Sequence, residues 1–361
     1  MDPAAFRAEF PGLDGIAYLN AGTDGPIPRR SAEAAAAQLR AETERGRSGA
    51  VHMEPLGAMK AGVRRHLAEA LGCDVGELAL THSTTDGMNT VVSGLGLGRG
   101  DEVLTSDEEH PGLLAPLAAA RRARGFEIRV VPFAELAGEV RPSTRLVACS
   151  HVSWVSGQMV AAPELAATDA LVLLDGAQGL GAVRSDVRAL GCDFYAGAGQ
   201  KWLCGPDASG CLYVRADRVE ELATPWPGYE SLADPGEALE LRLREDAGRF
   251  DIGPAPGPLA AWWLASLELL REAGWEWVLG RGPELAARLA ERLAERGLDV
   301  APRSRSTLVS WNASDPDEAV ERMARAGVVV RNLPGRGLVR ASVGAWSSEE
   351  DLERVVGLVA L

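Results

Sequence analysis

The stretch DFYAGAGQKWLCGP, residues 193 to 206, holds Lys201, one of only two lysines in a chain of 361 residues that carries 35 arginines. The other, Lys60, stands among Arg64, Arg65 and Glu69 on what reads as a solvated helix and calls for no special chemistry. Lys201 follows Gly197-Ala198-Gly199 and precedes Trp202 and Leu203. A permanent charge is costly in such an apolar setting. An amine can shed its proton there and become a nucleophile, which a guanidinium cannot do. A surface lysine in a loop is the plainer reading of the same residue.

Asp175 stands directly after the apolar run ALVLL, in LLDGAQGLG. An acid in that place either caps a turn with its carboxylate or holds a buried cation, and the glycines beside it permit close approach of a flat ligand. Asp175 precedes Lys201 by 26 residues, with one strand-like run between them, so both can reach neighbouring strand ends. An anion and a nucleophilic amine at one pocket suit pyridoxal phosphate. The lysine joins the cofactor covalently, and the carboxylate keeps the pyridine nitrogen protonated so that the ring accepts electrons. Ser83, Thr84 and Thr85, in THSTTDGMNTVV, fall between a strand and a helix, where free N–H groups meet a phosphate; Ser or Thr before a helix is also an ordinary cap. His110, in SDEEHPGLLAP, lies just past another strand, either as a solvated loop residue or as an imidazole stacked on a flat ring.

The elements that must position these residues are legible as a pattern. ELALTHS, DEVLTSD, FEIRVVPF, TRLVACSHVS, ALVLLDGA, CDFYAG and GCLYVR read as seven short strands, several of them apolar on both faces. That marks an α/β fold with a mostly parallel sheet flanked by helices, whose ligands gather at strand ends. The ends of the chain read differently. Residues 31–45 form a polar-faced helix capped by Ser31. GPELAARLAERLAERG begins a helix at Pro283, lines up Leu285, Leu289 and Leu293, and stops at Gly297. TLVSWNA, GVVVRN and LVRASV are three further strands, and a capping box from Ser347 to Glu350 opens a last helix that buries Leu352, Val355, Val356 and Val359.

A chain of this length exceeds what a single core comfortably holds. The expected division is a large cofactor-binding domain, residues 21–257, and a smaller α+β domain made of residues 1–20 and 258–361. The Gly/Pro-rich FDIGPAPGP, residues 250–258, is the expected hinge. A net charge of −14, with no Lys/Arg run beyond pairs, argues against nucleic acid or an anionic membrane as partner. The start lacks a secretory pattern and no apolar run reaches membrane-spanning length, so the expected location is cytoplasmic. Cys73, Cys149, Cys192, Cys204 and Cys211 show no metal-ligand spacing and read as reduced structural thiols; no metal is expected.

Taken together, YLNAG, STTDGMN, EEHPG, SHVSWVSGQ, LLDGAQ, CDFYAGAGQKWLCGP, RFDIG and LVRASVGAW cover nearly the whole chain in order. In them the chain resembles the class V aminotransferase superfamily of fold-type-I pyridoxal-phosphate enzymes, the branch with cysteine desulfurases, C–S lyases, isopenicillin N epimerases and kynureninases. The resemblance implies that Lys201 is the Schiff-base lysine, Asp175 the pyridinium partner, and His110 the ring-stacking residue and proton shuttle. It gives Gln178 the phenolic oxygen, and Thr84, Thr85 and Gln200 the phosphate. Arg340, in LVRAS, matches the arginine that grips the α-carboxylate of an amino-acid substrate. Asn20, in YLNAG, lines the substrate side or serves as a turn residue. His52 matches a segment that reaches a neighbouring subunit's site, so a homodimer with sites at the subunit boundary is expected.

Three departures bear on the reaction. VVVRNLPGRGLVR contains no cysteine where desulfurases carry their nucleophile; Ala198 stands where many relatives have a phosphate-binding Ser; and Pro254 replaces a Thr that crosses the dimer. The leading expectation is a lyase that removes the α-proton of a cysteine-derived amino acid and expels its β-sulfur group, giving pyruvate and ammonia. An epimerase, an aminotransferase, or a desulfurase with a non-standard thiol is the alternative, and a cofactor-binding scaffold without chemistry is a third.

Overall fold

The computed structural model describes residues 1–253 and 256–359; Pro254, one of the three departures, lies outside the described residues. In chain order the strands are β1 (Ala17–Tyr18), β2 (Leu78–Thr81), β3 (Glu102–Ser106), β4 (Glu127–Val131), β5 (Thr144–Ser150) and β6 (Leu171–Asp175). They continue with β7 (Phe194–Ala198), β8 (Gly210–Val214), β9 (Leu308–Asn312), β10 (Val328–Val329), β11 (Arg331–Leu333) and β12 (Leu338–Ser342). The seven apolar runs form one seven-stranded sheet in the order β2-β8-β7-β6-β5-β3-β4. Its strands are parallel except β8, which runs antiparallel to both β2 and β7.

Helices cover both faces because the strands are apolar on both. Along β6, Val172 and Leu174 join one hydrophobic cluster while Leu173 joins another on the opposite face, as alternation across a pleat demands. Helices 84–94 and 111–124 contribute to the second cluster through Met88, Val91, Leu113 and Leu117. On the other side, helix 257–273 packs against helices 29–45 and 49–71. A third cluster joins Ala17 and Leu19 to Leu285, Leu289 and Leu293 of helix 275–295, to Val339 and Ala341 of β12, and to Leu352 and Val355 of helix 349–359. It surrounds the three-stranded antiparallel sheet β11-β12-β9, while β1 pairs with β10.

Local readings shift where tertiary contacts override them. The helix read from Ser31 begins at Arg29, and Ser31 is buried with its hydroxyl 2.8 Å from that of Ser266, so it joins two helices instead of capping one. Pro283 does not start its helix. It sits inside helix 275–295, whose first turns carry Trp275, Trp277 and Val278. The last capping box lies one residue later than read: Ser348 Oγ accepts the Asp351 N–H at 3.2 Å and Asp351 Oδ2 accepts the Ser348 N–H at 2.9 Å. Val359 of that helix is only partly buried. GVVVRN divides into β10 and β11, which pair with different strands.

Lys60 is not on a solvated face. Its side chain is 16% exposed and its Nζ lies 3.2 Å from Glu230 Oε1. Among the described residues no helix is long and apolar enough to cross a membrane.

Candidate active site

Five loops leave the same edge of the large sheet and meet a sixth segment, residues 22–24, which follows β1. Together with β11 and β12 they enclose a cavity of about 310 Å³. Lys201, Asp175, His110, Thr84, Thr85, Gln178, Gln200 and Arg340 all line it, as does Ala198. The residues from 84 to 201 are thus brought to one place by the order and direction of the large sheet's strands, and Arg340 joins them from β12 of the smaller sheet. Parallel strands put their carboxyl ends, and the loops after them, on a single edge.

Lys201 follows β7 and its amine is pushed down to about 8, chiefly by burial and further by Arg340 and Arg331, against Asp175 and Asp24, which favour the charged form. Asp175 ends β6 in register with Ala196 of β7. Its Oδ1 accepts the Ala177 N–H at 2.9 Å, but burial still raises its pKa above the ordinary value. It caps the turn, the first of the two readings, and it is at the same time a buried carboxylate whose charge a nearby cation would stabilise.

His110 stands at the start of helix 111–124, where Nδ1 accepts the Gly112 N–H at 3.0 Å. Burial and the nearby Lys201, Arg331 and Arg340 hold it down to about 4. It is therefore neutral near pH 7, with its proton on Nε2 and a flat uncharged ring to offer. Its ring meets that of Trp154 edge-on, centroids 5.1 Å apart at 86°.

The fit to a phosphorylated, ring-shaped group rests on polar atoms that have no protein partner. Thr84 Oγ1 is buried and unpartnered at the start of helix 84–94, while Ser83 Oγ takes the Asp86 N–H at 3.1 Å. Hydroxyls and free N–H groups at a helix start suit a phosphate. Gln200 has its Oε1 buried and unpartnered, and a turned amide would present its NH2 to the same anion. Gly112 is required here, because a Cβ at that position would stand 2.7 Å from Thr85 Oγ1 and 3.1 Å from His110 Nδ1. Ala198 offers no hydroxyl, so the helix start and Gln200 are what remain on this side.

Arg340 is fully buried in β12. Nη1 donates to the Trp154 carbonyl at 2.7 Å, whereas Nε and Nη2 have no partner. Among the described residues no carboxylate offsets its charge, and the charged neighbour that acts on it is Arg331. Burial and Arg331 lower its pKa to about 9, which leaves it charged near neutrality. A guanidinium buried without a carboxylate, with two nitrogens free, is arranged to receive one from outside.

Asn20 does not line the cavity. Its side chain accepts from Thr23 Oγ1 at 2.9 Å and its backbone bridges to Ser342, so it shapes the 22–24 segment as a turn residue. His52 lies elsewhere, in a groove of about 700 Å³ with Met53, Lys60, Tyr229 and Asp251. Residue-by-residue reading missed Gly22, Asp24, Trp154 and Arg331 as wall residues. Trp154 had a signal, a lone aromatic amid Ser and Gly in SHVSWVSGQ; Arg331 had none among 35 arginines. Arg331 pairs in register with Arg340 and donates to Thr23 Oγ1 at 3.0 Å. Also unforeseen is Glu109, buried with its carboxyl between Ser106 Oγ at 2.5 Å and Ser150 Oγ at 2.6 Å, where burial pushes it up to about 7. It ties the ends of β3 and β5 together.

The aminotransferase class-V family model matches residues 17–355. A probable cysteine desulfurase of Aeropyrum pernix is 31% identical over 395 residues, covering 97% of this chain and 95% of that protein. The isopenicillin N epimerase of Streptomyces clavuligerus is 28% identical, covering 94% and 93%. Among solved structures, a C-DES mutant with glycine covalently linked to its PLP cofactor superposes with a TM-score of 0.92 at 27% identity over 98% of both chains. The complex of the cystine C–S lyase C-DES with its product cysteine persulfide gives 0.91 at 28% identity over 97% and 99%. With that match spanning the chain, and the expected strands and cavity in place, the protein belongs to the class-V aminotransferase family of pyridoxal-phosphate-dependent enzymes and has their fold-type-I architecture.

Proposed function

We propose that this enzyme is a lyase that cleaves the C–S bond of a cysteine-derived amino acid by α,β-elimination. The observation that carries the reading is a cavity that holds Lys201, Asp175 and Arg340 with no thiol on its wall. Burial pushes all five cysteines above the ordinary thiol value, and the stretch from Arg331 to Arg340 has no cysteine. A persulfide-forming desulfurase needs an accessible thiolate near the substrate sulfur. The likeness to the cystine C–S lyase C-DES supports the same reading.

In it, Lys201 would hold the cofactor through its amine and serve as the base that takes the proton from Cα. Its depressed pKa suits a base working near neutrality. Asp175 would pair with the pyridine nitrogen, His110 would offer its uncharged ring, Gln178 would donate to the phenolic oxygen, and Thr84, Thr85 and Gln200 would hold the phosphate. Arg340 takes the α-carboxylate in a two-pronged pair that orients Cα. Pyridoxal phosphate, when bound, supplies the electron sink that makes Cα acidic and lets the β-sulfur leave. Arg331, beside Arg340 on the neighbouring strand, adds a second positive charge suited to a second carboxylate, such as cystine carries.

The chain is read as two parts: residues 21–257 for the cofactor, and 1–20 with 258–361 as the smaller domain. The reduced cysteines agree with a cytoplasmic setting. The epimerase reading is kept because isopenicillin N epimerase is among the relatives and would use the same Cα proton removal.

Purified protein is expected to be yellow. Lys201→Ala should remove the borohydride-trapped covalent adduct, and a normal adduct in that variant would overturn Lys201 as the attachment point.

Incubation with cystine, cysteine and cysteine sulfoxides should yield pyruvate and ammonia, measured by product analysis. Alanine with enzyme-bound persulfide would make the protein a desulfurase, and inversion at Cα without elimination would make it an epimerase.

Arg340→Ala should leave the cofactor spectrum intact and lower kcat/KM by about ten-fold to roughly 150-fold, the loss of a charge-assisted pair of roughly 1.5 to 3 kcal/mol. Parallel loss of cofactor would make its role structural.

The active unit is read as a homodimer. The groove with His52 lies near the exposed Met53 and Tyr229, apolar surface of the kind a second copy covers. Sedimentation under assay conditions should show a dimer, and a fully active monomer contradicts it.

A further inference from the structure

Gln178, on the cavity wall, and Trp202, its neighbour outside that wall, are both buried, 4% and 2% exposed. The Trp202 Nε1–H donates to Gln178 Oε1 at 3.1 Å, and Gln178 Nε2 donates to the Gly22 carbonyl at 2.8 Å. An indole N–H can only donate and a peptide carbonyl can only accept. The amide of Gln178 therefore has a single satisfied orientation. Turning it over would set N–H against N–H on one side and oxygen against oxygen on the other, leaving buried polar groups unpaired. With one Nε2 hydrogen engaged, the second Nε2 hydrogen is the donor that Gln178 has left to offer, and Gln178 is part of the cavity wall beside Lys201 and Asp175.

We propose that Trp202, the residue after the cofactor-bearing lysine, is a positioning residue that locks Gln178 as a donor toward the cofactor's phenolic oxygen. The inference rests on the reading that this oxygen faces Gln178. The lock also reaches the substrate side. Gly22, whose carbonyl completes it, is so close to Arg340 that a Cβ there would stand 2.7 Å from Nη2. A phenylalanine or leucine at 202 would keep the site apolar but leave Oε1 without a donor. The amide could then rotate and turn its oxygen toward a negatively charged one.

The consequence is read in the colour of the Lys201–cofactor linkage. A donor to the phenolic oxygen stabilises its negative charge most when the linkage nitrogen has lost its proton, because that proton otherwise rests against the same oxygen. The donor therefore lowers the pH at which the visible band titrates, and its loss raises that midpoint. The charged and titratable groups around Lys201, namely Asp175, Asp24, His110, Arg331 and Arg340, are the same before and after the substitution.

The experiment is a pH titration of the visible absorbance of cofactor-loaded wild type, Trp202→Phe, Gln178→Ala and the double variant. Because Trp202→Phe opens space in the core, a fifth protein carries benzothienylalanine at position 202, which keeps the two-ring shape and removes only the N–H. Gln178→Ala is expected to raise the midpoint by about one pH unit, the size of a hydrogen bond to a charged oxygen. Both changes at 202 should raise it in the same direction, and the double variant should go no further than Gln178→Ala alone. A shift with Gln178→Ala but none with benzothienylalanine overturns the role of Trp202 while leaving Gln178 as the cofactor contact. No shift in any variant overturns both, because Gln178 then does not face the phenolic oxygen.

Discussion

The structure depends on the register of three parallel strands. Ser150 and Asp175, the last residues of β5 and β6, stand side by side with Ala196, two residues before the end of β7, so the loops that leave these strands start close together on one edge. Backbone bonds carry the alignment past the strand ends: the His151 N–H reaches the Asp175 carbonyl at 2.9 Å, and the Gly176 N–H reaches that of Ala196 at 2.7 Å. A slip of one residue in β6 would turn Asp175 to the other face of the sheet, because side chains alternate with period two. The same register explains the glycines of LLDGAQGLG. A Cβ on Gly176 would stand 2.1 Å from the Tyr195 ring and one on Gly179 would stand 2.4 Å from His151 Nδ1, so the turn can lie on these two buried rings only without side chains there.

Burial of charge is the second constraint. Asp175, Lys201 and Arg340 are each held where water does not solvate them well, and none has a full ionic partner within the protein. A fold tolerates this only where the surrounding packing supplies the energy, and such groups mark places that a ligand completes. Arg340 is the clearest case. Its guanidinium is anchored by a carbonyl instead of a carboxylate, so it stays in place without being neutralised.

Two segments far apart in the chain close the cavity on its open side. Residues 22–25 reach the lysine loop through the Gly25 N–H, which donates to the Gln200 carbonyl at 2.7 Å. Loop 153–157 holds Arg340 through the Trp154 carbonyl, and is itself held by Ser310 Oγ at 2.5 Å from the Val155 carbonyl and Ser306 Oγ at 2.7 Å from that of Gly157. The arginine is therefore placed by contacts between β9, β12 and a loop of the large sheet, so that its position follows from how the two sheets meet.

Residue type and setting marked Lys201 and Asp175, because a nucleophilic amine and a buried acid have no cheaper substitutes at such places, whereas Arg340, one arginine among 35, was marked only by the resemblance of LVRAS to a known family. Apolar runs likewise marked the seven strands of the large sheet, since burial on both faces leaves a continuous signature. Local reading failed at Ser31, Pro283 and the last capping box, where a residue that suits a helix start was used for packing or lay one position away from the bond it was assigned. Lys60 looked solvated because its helical neighbours are charged, yet its partner Glu230 is 170 positions away. The antiparallel turn of β8, the facing of Arg331 by Arg340 and the orientation of the Gln178 amide were decided only by the tertiary structure. Each depends on which distant groups come within bonding distance, and a one-dimensional pattern records the kind of residue at a position but not what the fold sets beside it.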